Sequence, residues 1–316
     1  MTKLEPGKDI LVFYEKQKWD YVDTYSKKSI SGFYAWYLRL VEALKLAGFN
    51  VHENAYDLAL ENPTYPIGLV GTPSSIPNWE LPNPVILGPS MYDNPKLNPT
   101  LMDDPRFKLY LLTCDWLKNV FEKVYTGKCA LWFAGIPTNE WVDTKNHNKS
   151  VDVLIYDKIR WGREAILPLF LDKIKKHLDD NNLSYHVLKY GEISHAEYKE
   201  FLSKSRSLVF LCESETQGMA YQEALASNVP VLAWDPGWWV DPVWLMFSQE
   251  PIPATSVPYF SEKCGLKFRA PEEFEATFQN FWSNLSGFSP RKFVEENLSF
   301  EKSAQIYAEY YFNFIK

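Results

Sequence analysis

Two glutamates with seven residues between them, Glu215 and Glu223, frame the stretch ESETQGMAYQEALASNVPVLA, residues 213–233. A helix of small residues such as Ala220, Ala224 and Ala226 packs closely, and a carboxylate buried on it is costly unless something pairs with it. Glu223 therefore either points to water or meets a ligand. Carboxylates repel phosphate but accept hydrogen bonds from hydroxyls, as in a ribose diol or a sugar ring. Gly218 lets a ligand approach the backbone, and the helix that follows offers free amides to an anion. Upstream, DKIRWGRE places Lys158, Arg160 and Arg163 between a strand end and a helix start. Cations beside a helix N-terminus suit a phosphate group; the alternative is a solvated charged loop. Phosphate held by amides and cations, with hydroxyls held by two carboxylates, is the chemistry these residues offer together.

Two weaker candidates are Gly32, at a helix start after the first strand, and Tyr190, which ends VLKY and could flank a nucleobase. Plain helix entry and loop packing are the competing readings. Other chemistries find no support. The five histidines form no HExxH or HxH pattern, and no Asp-x-Asp is present to hold a metal. No GxSxG elbow, P-loop or full GxGxxG occurs.

The elements that must position these residues alternate along the chain. DILVFY, FNVHE, IGLVG, PVILG, FKLYLLT and KCALWFAG read as strands of the first half. A helix over 31–48 carries Leu38, Val41, Leu44 and Leu46 at helical spacing, and a short one follows at CDWLKNVFEKVY. Proline-dense stretches such as TPSSIPNWELPNP shorten or replace the remaining helices. Residues 135–150 read as a linker. After it, VDVLIY, SYHVLKY, SLVFLC and VPVLAW alternate with helices at EAILPLFLDKIKKHL, SHAEYKEFLSKS (Ser194 as N-cap) and QGMAYQEALAS, a doubly wound α/β pattern. CGLKF is expected as the last strand, before helices near 271–285, 290–297 and 301–315. In open α/β sheets ligands bind beyond the carboxyl ends of the strands, where the candidates lie.

At 316 residues the chain has room for two domains, and its 46% hydrophobic and 23% charged residues are ordinary for a globular protein. A net charge of −7 without a basic run argues against nucleic acid. The 12 Trp, 19 Tyr and 20 Phe supply core and flat stacking surfaces alike. Cys114, Cys129, Cys212 and Cys264 form no CxxC pair, which suits a reducing compartment. With no signal peptide and no stretch of about 20 apolar residues, a cytoplasmic location is expected, peripheral at the membrane at most. The three Asn-x-Ser sequons read as coincidence.

The segment SETQGMAYQEALASNVPVLAWD resembles the E-x7-E region of GT-B glycosyltransferases of family four, the nucleotide-sugar-dependent retaining group. Glu215, Gly218, Glu223, Ala224, Ala226, Pro230 and Val231 fall in step with it. YGEISHAEYKEFLSKSRSLVFLCES, GLKFRAPEEFEATFQNFW and NLSFEKSAQIYAEYY are similar to its flanking elements. The resemblance implies two Rossmann-like domains facing a cleft: 1–148 on the acceptor side, 149–300 for the donor, and a helix over 301–316 packing back toward the first. It implies transfer of a sugar from a nucleoside diphosphate to an acceptor hydroxyl, with retained configuration and neither metal nor cofactor. Catalytic roles fall to Glu215, Lys158 and Arg163, and substrate binding to Glu223, Gly218, Met219, Gln217, Tyr190, Gly32 and Arg160. The partners are a nucleotide-sugar and a glycan, lipid-linked or small-molecule acceptor. The loop 15–29 offers Trp19, Tyr21 and Tyr25 for stacking on an acceptor and Lys27 and Lys28 for an anion, although a flexible loop is the slightly preferred reading. Three features depart from the family pattern: Lys158 and Arg163 stand in reversed order, Thr216 replaces a glycine, and His52 is a poor match for the first-half histidine of many members. These favour an alternative, a GT-B-like protein that binds nucleotide or glycan without transferring sugar.

Overall fold

The computed structural model describes residues 3–17, 32–76, 79–248 and 250–315, apart from the side chains of Val243 and Leu245. Most of the aromatic loop 15–29, including Trp19, Tyr21, Tyr25, Lys27 and Lys28, lies outside the described residues. The described residues up to Gly135 and from Leu298 onward form one compact unit, and those of Ile136–Asn297 form the second.

The first unit holds β1 (Asp9–Tyr14), α1 (Gly32–Leu46), β2 (Asn50–Glu53), α2 (Tyr56–Glu61), β3 (Ile67–Val70), β4 (Val85–Leu87), β5 (Phe107–Leu112), α3 (Asp115–Phe121) and β6 (Cys129–Leu131). The strands make one sheet in the order β2-β1-β3-β4-β5-β6, with every pair parallel. β1 is buried throughout, as a central parallel strand must be. Among the described residues, the proline-dense connections after β3 and β4 carry only 3-10 turns, at Pro73–Ser75, Pro95–Leu97 and Leu101–Asp103, where proline fixes φ but supplies no amide. α1 forms where expected but buries Trp36, Leu40, Val41 and Leu44, while Leu38 and Leu46 are exposed. The wide apolar run hid which stripe faces the core, because tyrosine and tryptophan compete with leucine for it.

The chain's last helix (Phe300–Phe312) belongs to this unit. Its buried Tyr311 accepts a hydrogen bond at 2.8 Å from the amide of Leu11 in β1 and donates to the carbonyl of Pro66. Ser303 donates to the carbonyl of Phe133 at 2.7 Å, and the Trp132 indole donates to the carbonyl of Ser303 at 3.1 Å. These groups are thus matched across the contact, whereas the buried Tyr307 hydroxyl of the same helix has no partner among the described residues.

The second unit holds β7 (Val151–Asp157), α4 (Arg163–Leu167), α5 (Lys173–Asp180), β8 (Tyr185–Lys189), α6 (His195–Lys204), β9 (Ser205–Leu211), α7 (Met219–Ala226), β10 (Val231–Trp234), α8 (Pro242–Leu245), β11 (Gly265–Phe268), α9 (Phe274–Ser283) and α10 (Pro290–Asn297). Its strands lie in the order β11-β10-β9-β7-β8, again all parallel. Val153, Ile155, Val209, Leu211 and Leu232 meet Ile174, Leu178, Phe274 and Phe278 in its core. The single helix expected over EAILPLFLDKIKKHL is interrupted by a π-helical turn at Pro168–Asp172, because proline cannot donate into the ladder. α6 opens on a full capping box: Ser194 Oγ accepts from the Glu197 amide and Glu197 accepts from the Ser194 amide.

Candidate functional site

The charged candidates of the second unit gather at the carboxyl ends of β7 and β9, neighbours in the sheet. The carboxylate of Asp157, the last residue of β7, is 2% exposed. Arg163 grips it with both arms, through Nη1–Oδ1 at 2.9 Å and Nη2–Oδ2, and also donates to the carbonyl of Ile159 at 2.7 Å. A two-armed guanidinium–carboxylate pair fixes direction as well as charge. Arg163 therefore holds the loop after β7 in shape.

Lys158 pairs with Glu215, and both side chains are largely buried. Its ammonium also lies 4.4 Å from the centre of the Tyr190 ring, a cation–π contact. Burial alone would lower the lysine, but Glu215, Cys212 and Tyr190 together outweigh it and hold the ammonium above the ordinary value. Glu215 further accepts from the Cys212 thiol at 3.5 Å, and its amide donates to the carbonyl of Thr255 at 3.0 Å.

Sequence reading missed Glu213, the residue that ties the two loops together. Its carboxylate is fully buried and accepts from the amides of Arg160 and Trp161 at 2.7 and 2.9 Å. The Arg160 guanidinium donates to the carbonyl of Ser214 at 2.7 Å and stands 3.7 Å from Glu213. Its only sequence signal is its place just past the strand SLVFLC, which Glu215 shares.

Gly218 is the N-cap of α7, with φ +79° and ψ 49°. A Cβ there would stand 2.2 Å from the buried ring of Tyr221. Glycine thus permits both the left-handed turn and the close packing, and as N-cap it offers no side chain to the first-turn amides. Met219 follows, half-buried. Gln217 is buried in a local network: its amide nitrogen donates to Gln222 Oε1 at 3.2 Å, and Gln222 donates to its backbone carbonyl at 2.9 Å. Glu223 is 4% exposed, and its Oε1 lies 3.5 Å from Nε2 of His195, the first residue of α6. The His195 ring meets Trp141 edge-on at 4.9 Å. His195 was not singled out in the sequence; its position just after the Ser194 cap, facing α7, shows only in the fold.

The structure thus brings Lys158, Arg160, Arg163, Tyr190, Glu215, Gln217, Gly218, Met219 and Glu223 into one region of the second unit. Gly32 lies in the first unit, exposed at the start of α1. Among the described residues no group of three His, Cys, Asp or Glu is placed to hold a metal ion. No helix among them is long and apolar enough to cross a membrane.

Two parallel sheets, each flanked by helices, define the α/β architecture of the GT-B fold. Sucrose-phosphate synthase from Thermosynechococcus elongatus superposes with a TM-score of 0.58 at 13% identity, over 96% of this chain and 98% of that one. AviGT4, a glycosyltransferase involved in avilamycin A biosynthesis, gives 0.52 at 10% identity, over 96% and 97%. S. aureus TarM, in a complex that includes UDP, gives 0.51 at 14% identity, over 78% of this chain and 55% of that one. At the sequence level, residues 169–240 match the family model of glycosyl transferases group 1. No curated protein sequence matches the chain. The resemblance to GT-B glycosyltransferases read from the sequence therefore holds for the fold, and the family match adds support for a glycosyltransferase.

Proposed function

We propose that the protein is a retaining glycosyltransferase that moves a sugar from a nucleoside diphosphate to an acceptor hydroxyl without a metal ion or cofactor. The observation that carries this reading is the buried Glu223 on a helix whose N-terminus is capped only by glycine, beside a strand end bearing Lys158 and Arg160. Glu223 accepts hydrogen bonds from the ribose hydroxyls, with His195 orienting its carboxylate. Glu215 meets the donor sugar. As the bond from the anomeric carbon to the diphosphate breaks, charge grows on the leaving oxygen. Lys158, Arg160 and the amides at Met219 and Ala220 stabilise it, a preorganised electrostatic effect. Arg163, bound to Asp157, supports the loop that presents them. The protein acts in the cytoplasm, at the membrane surface when its acceptor is lipid-linked.

Calorimetric titration of UDP, GDP and ADP with a chelator present tests the donor site. One nucleotide binds in the micromolar range, and Glu223→Gln weakens it about ten- to a hundredfold, the loss of a charged hydrogen bond. Unchanged affinity in that variant, with the fold intact, refutes the assignment.

One observation favours the second reading, a protein that binds nucleotide or glycan without transfer. Lys158, Arg160 and Arg163 each already contact a carboxylate of the protein. Turnover separates the two: even slow hydrolysis of a nucleotide-sugar rules out a purely binding role.

A further inference from the structure

The first unit holds a pocket of about 520 Å³ at the carboxyl ends of β1 and β3. The sheet order β2-β1-β3 makes this a point where the chain reverses direction across the sheet: it leaves β1 for β2 on one side and returns to β3 on the other. In open parallel sheets such switch points form the crevices that take ligands.

The walls are aromatic. Phe13 of β1 meets Tyr56 of α2 at 4.9 Å and Trp79 of the proline-dense connection at 5.3 Å, both edge-on. Tyr56 is 51% exposed, so it offers an open surface that buried Phe13 does not. Glu15 and Glu80 supply carboxylates, and none of the described lining residues is cationic. Arg106 holds the wall from outside, donating to the carbonyls of Trp79 and Leu81 at 2.9 and 3.2 Å while paired with Asp104 at 2.8 Å. Trp79 Nε1 and Ser75 Oγ are buried without a hydrogen-bond partner among the described residues. Buried polar groups ordinarily find partners, and these two belong to lining residues of the pocket.

We infer that this pocket binds a sugar ring that is uncharged or carries an amine, and rejects sugars bearing carboxylate or phosphate. Aromatic walls take the apolar face of such a ring, and carboxylates accept from its hydroxyls or amine. An anionic sugar would meet two carboxylates and, among the described lining residues, no compensating cation. Calling this ring the acceptor rests on the glycosyltransferase reading; the binding itself does not.

Ligand-observed saturation-transfer NMR on the full chain, without nucleotide, tests the inference with glucose, glucosamine, glucuronate and glucose 6-phosphate as probes. Glucose and glucosamine bind, and the two anionic sugars bind at least about tenfold more weakly. Tyr56→Ala, a change at an exposed side chain that leaves the core intact, weakens glucose about tenfold. Glu15→Lys with Glu80→Lys raises the affinity for the anionic probes. Anionic sugars binding as well as glucose, no effect of Tyr56→Ala, or no binding by glucose and glucosamine would each overturn it. Sugar binding without nucleotide binding would sink the donor site and leave this pocket standing; the reverse would sink the pocket alone.

Discussion

Gly218→Ala is the sharpest single-residue test of how α7 is aimed. The residue sits at φ +79° and ψ 49°, where an L-residue costs about 1–2 kcal/mol. The added methyl would lie 2.2 and 2.7 Å from two atoms of the Tyr221 ring. That ring cannot swing away: it is fully buried, with centroids 5.6 Å from Phe210 and 6.3 Å from Phe260. Overpacking of this kind costs about 1–3 kcal/mol, so the two effects sum to roughly 2–5 kcal/mol. A stiffer unfolded chain returns about 0.4–1 kcal/mol. Gly191 is the control: its φ is +84°, yet a Cβ there meets nothing within 4 Å. Gly191→Ala thus carries the backbone cost alone. Urea unfolding followed by tryptophan fluorescence should show Gly218→Ala losing about 1–3 kcal/mol more than Gly191→Ala. Equal losses would refute the packing argument, and with it the claim that glycine is needed for more than its conformation.

Arg291→Ala should destabilise the protein by about 3 kcal/mol in the same assay, because the guanidinium serves the carbonyls of Trp141, Ala226 and Thr138 at 2.7, 2.7 and 3.1 Å; a loss within error would deny it that role. Lys149, beside the carbonyl of Ser203, is lowered by burial to about 8, against the pull of Asp143. Its folded value lies below the unfolded 10.5, so the unfolded chain holds more protons between these values and stability rises as pH climbs from about 8 to 10.5. NMR titration of the methylated amine checks this, and an ordinary lysine midpoint would contradict it. At the site, Arg160→Ala should weaken the bound nucleotide more than tenfold, with little change in urea stability, whereas Arg163→Ala should chiefly lower stability; the opposite ranking would exchange their roles.

The strands were the most legible part of the chain, because parallel strands buried on both faces appear as unbroken apolar runs such as DILVFY and VDVLIY. Ser194 was legible as a cap, since its chemistry is local and repeats at a fixed spacing with Glu197. α2 was not, because six residues make too few turns to show a period. At the site, Gly218 and Glu223 stood out by type and spacing. Glu213 did not: it and Glu215 share one neighbourhood, and only the loop after β7, about fifty residues upstream, decides which is buried beneath backbone amides. Similarly, Tyr56 and Trp79 lie in separate connections, and the sheet order brings them around Phe13.

The three cation–carboxylate contacts after β7 and β9 differ in a way that orders their availability to a phosphate. Arg163 binds Asp157 with two arms, and that carboxylate is 2% exposed. Removing the arginine would strand a buried charge, which costs about 3–5 kcal/mol. Lys158 and Glu215 are 13% and 11% exposed, so an anion can take over the ammonium only if the carboxylate finds a new donor, as a sugar hydroxyl would supply. Arg160 is the least committed: its side chain is 37% exposed and stands 3.7 Å from Glu213, whose carboxylate already has two backbone amides. Turning Arg160 toward a ligand leaves the Glu213 carboxylate its two amide bonds on Oε1, while the buried Oε2 loses the guanidinium 3.7 Å away. On the proposed function, a diphosphate would recruit Arg160 first and Lys158 with the sugar, while Arg163 would stay where it is. On that reading, nucleotide and sugar binding would be coupled through Glu215, which gives up Lys158 to the phosphate as it engages the sugar.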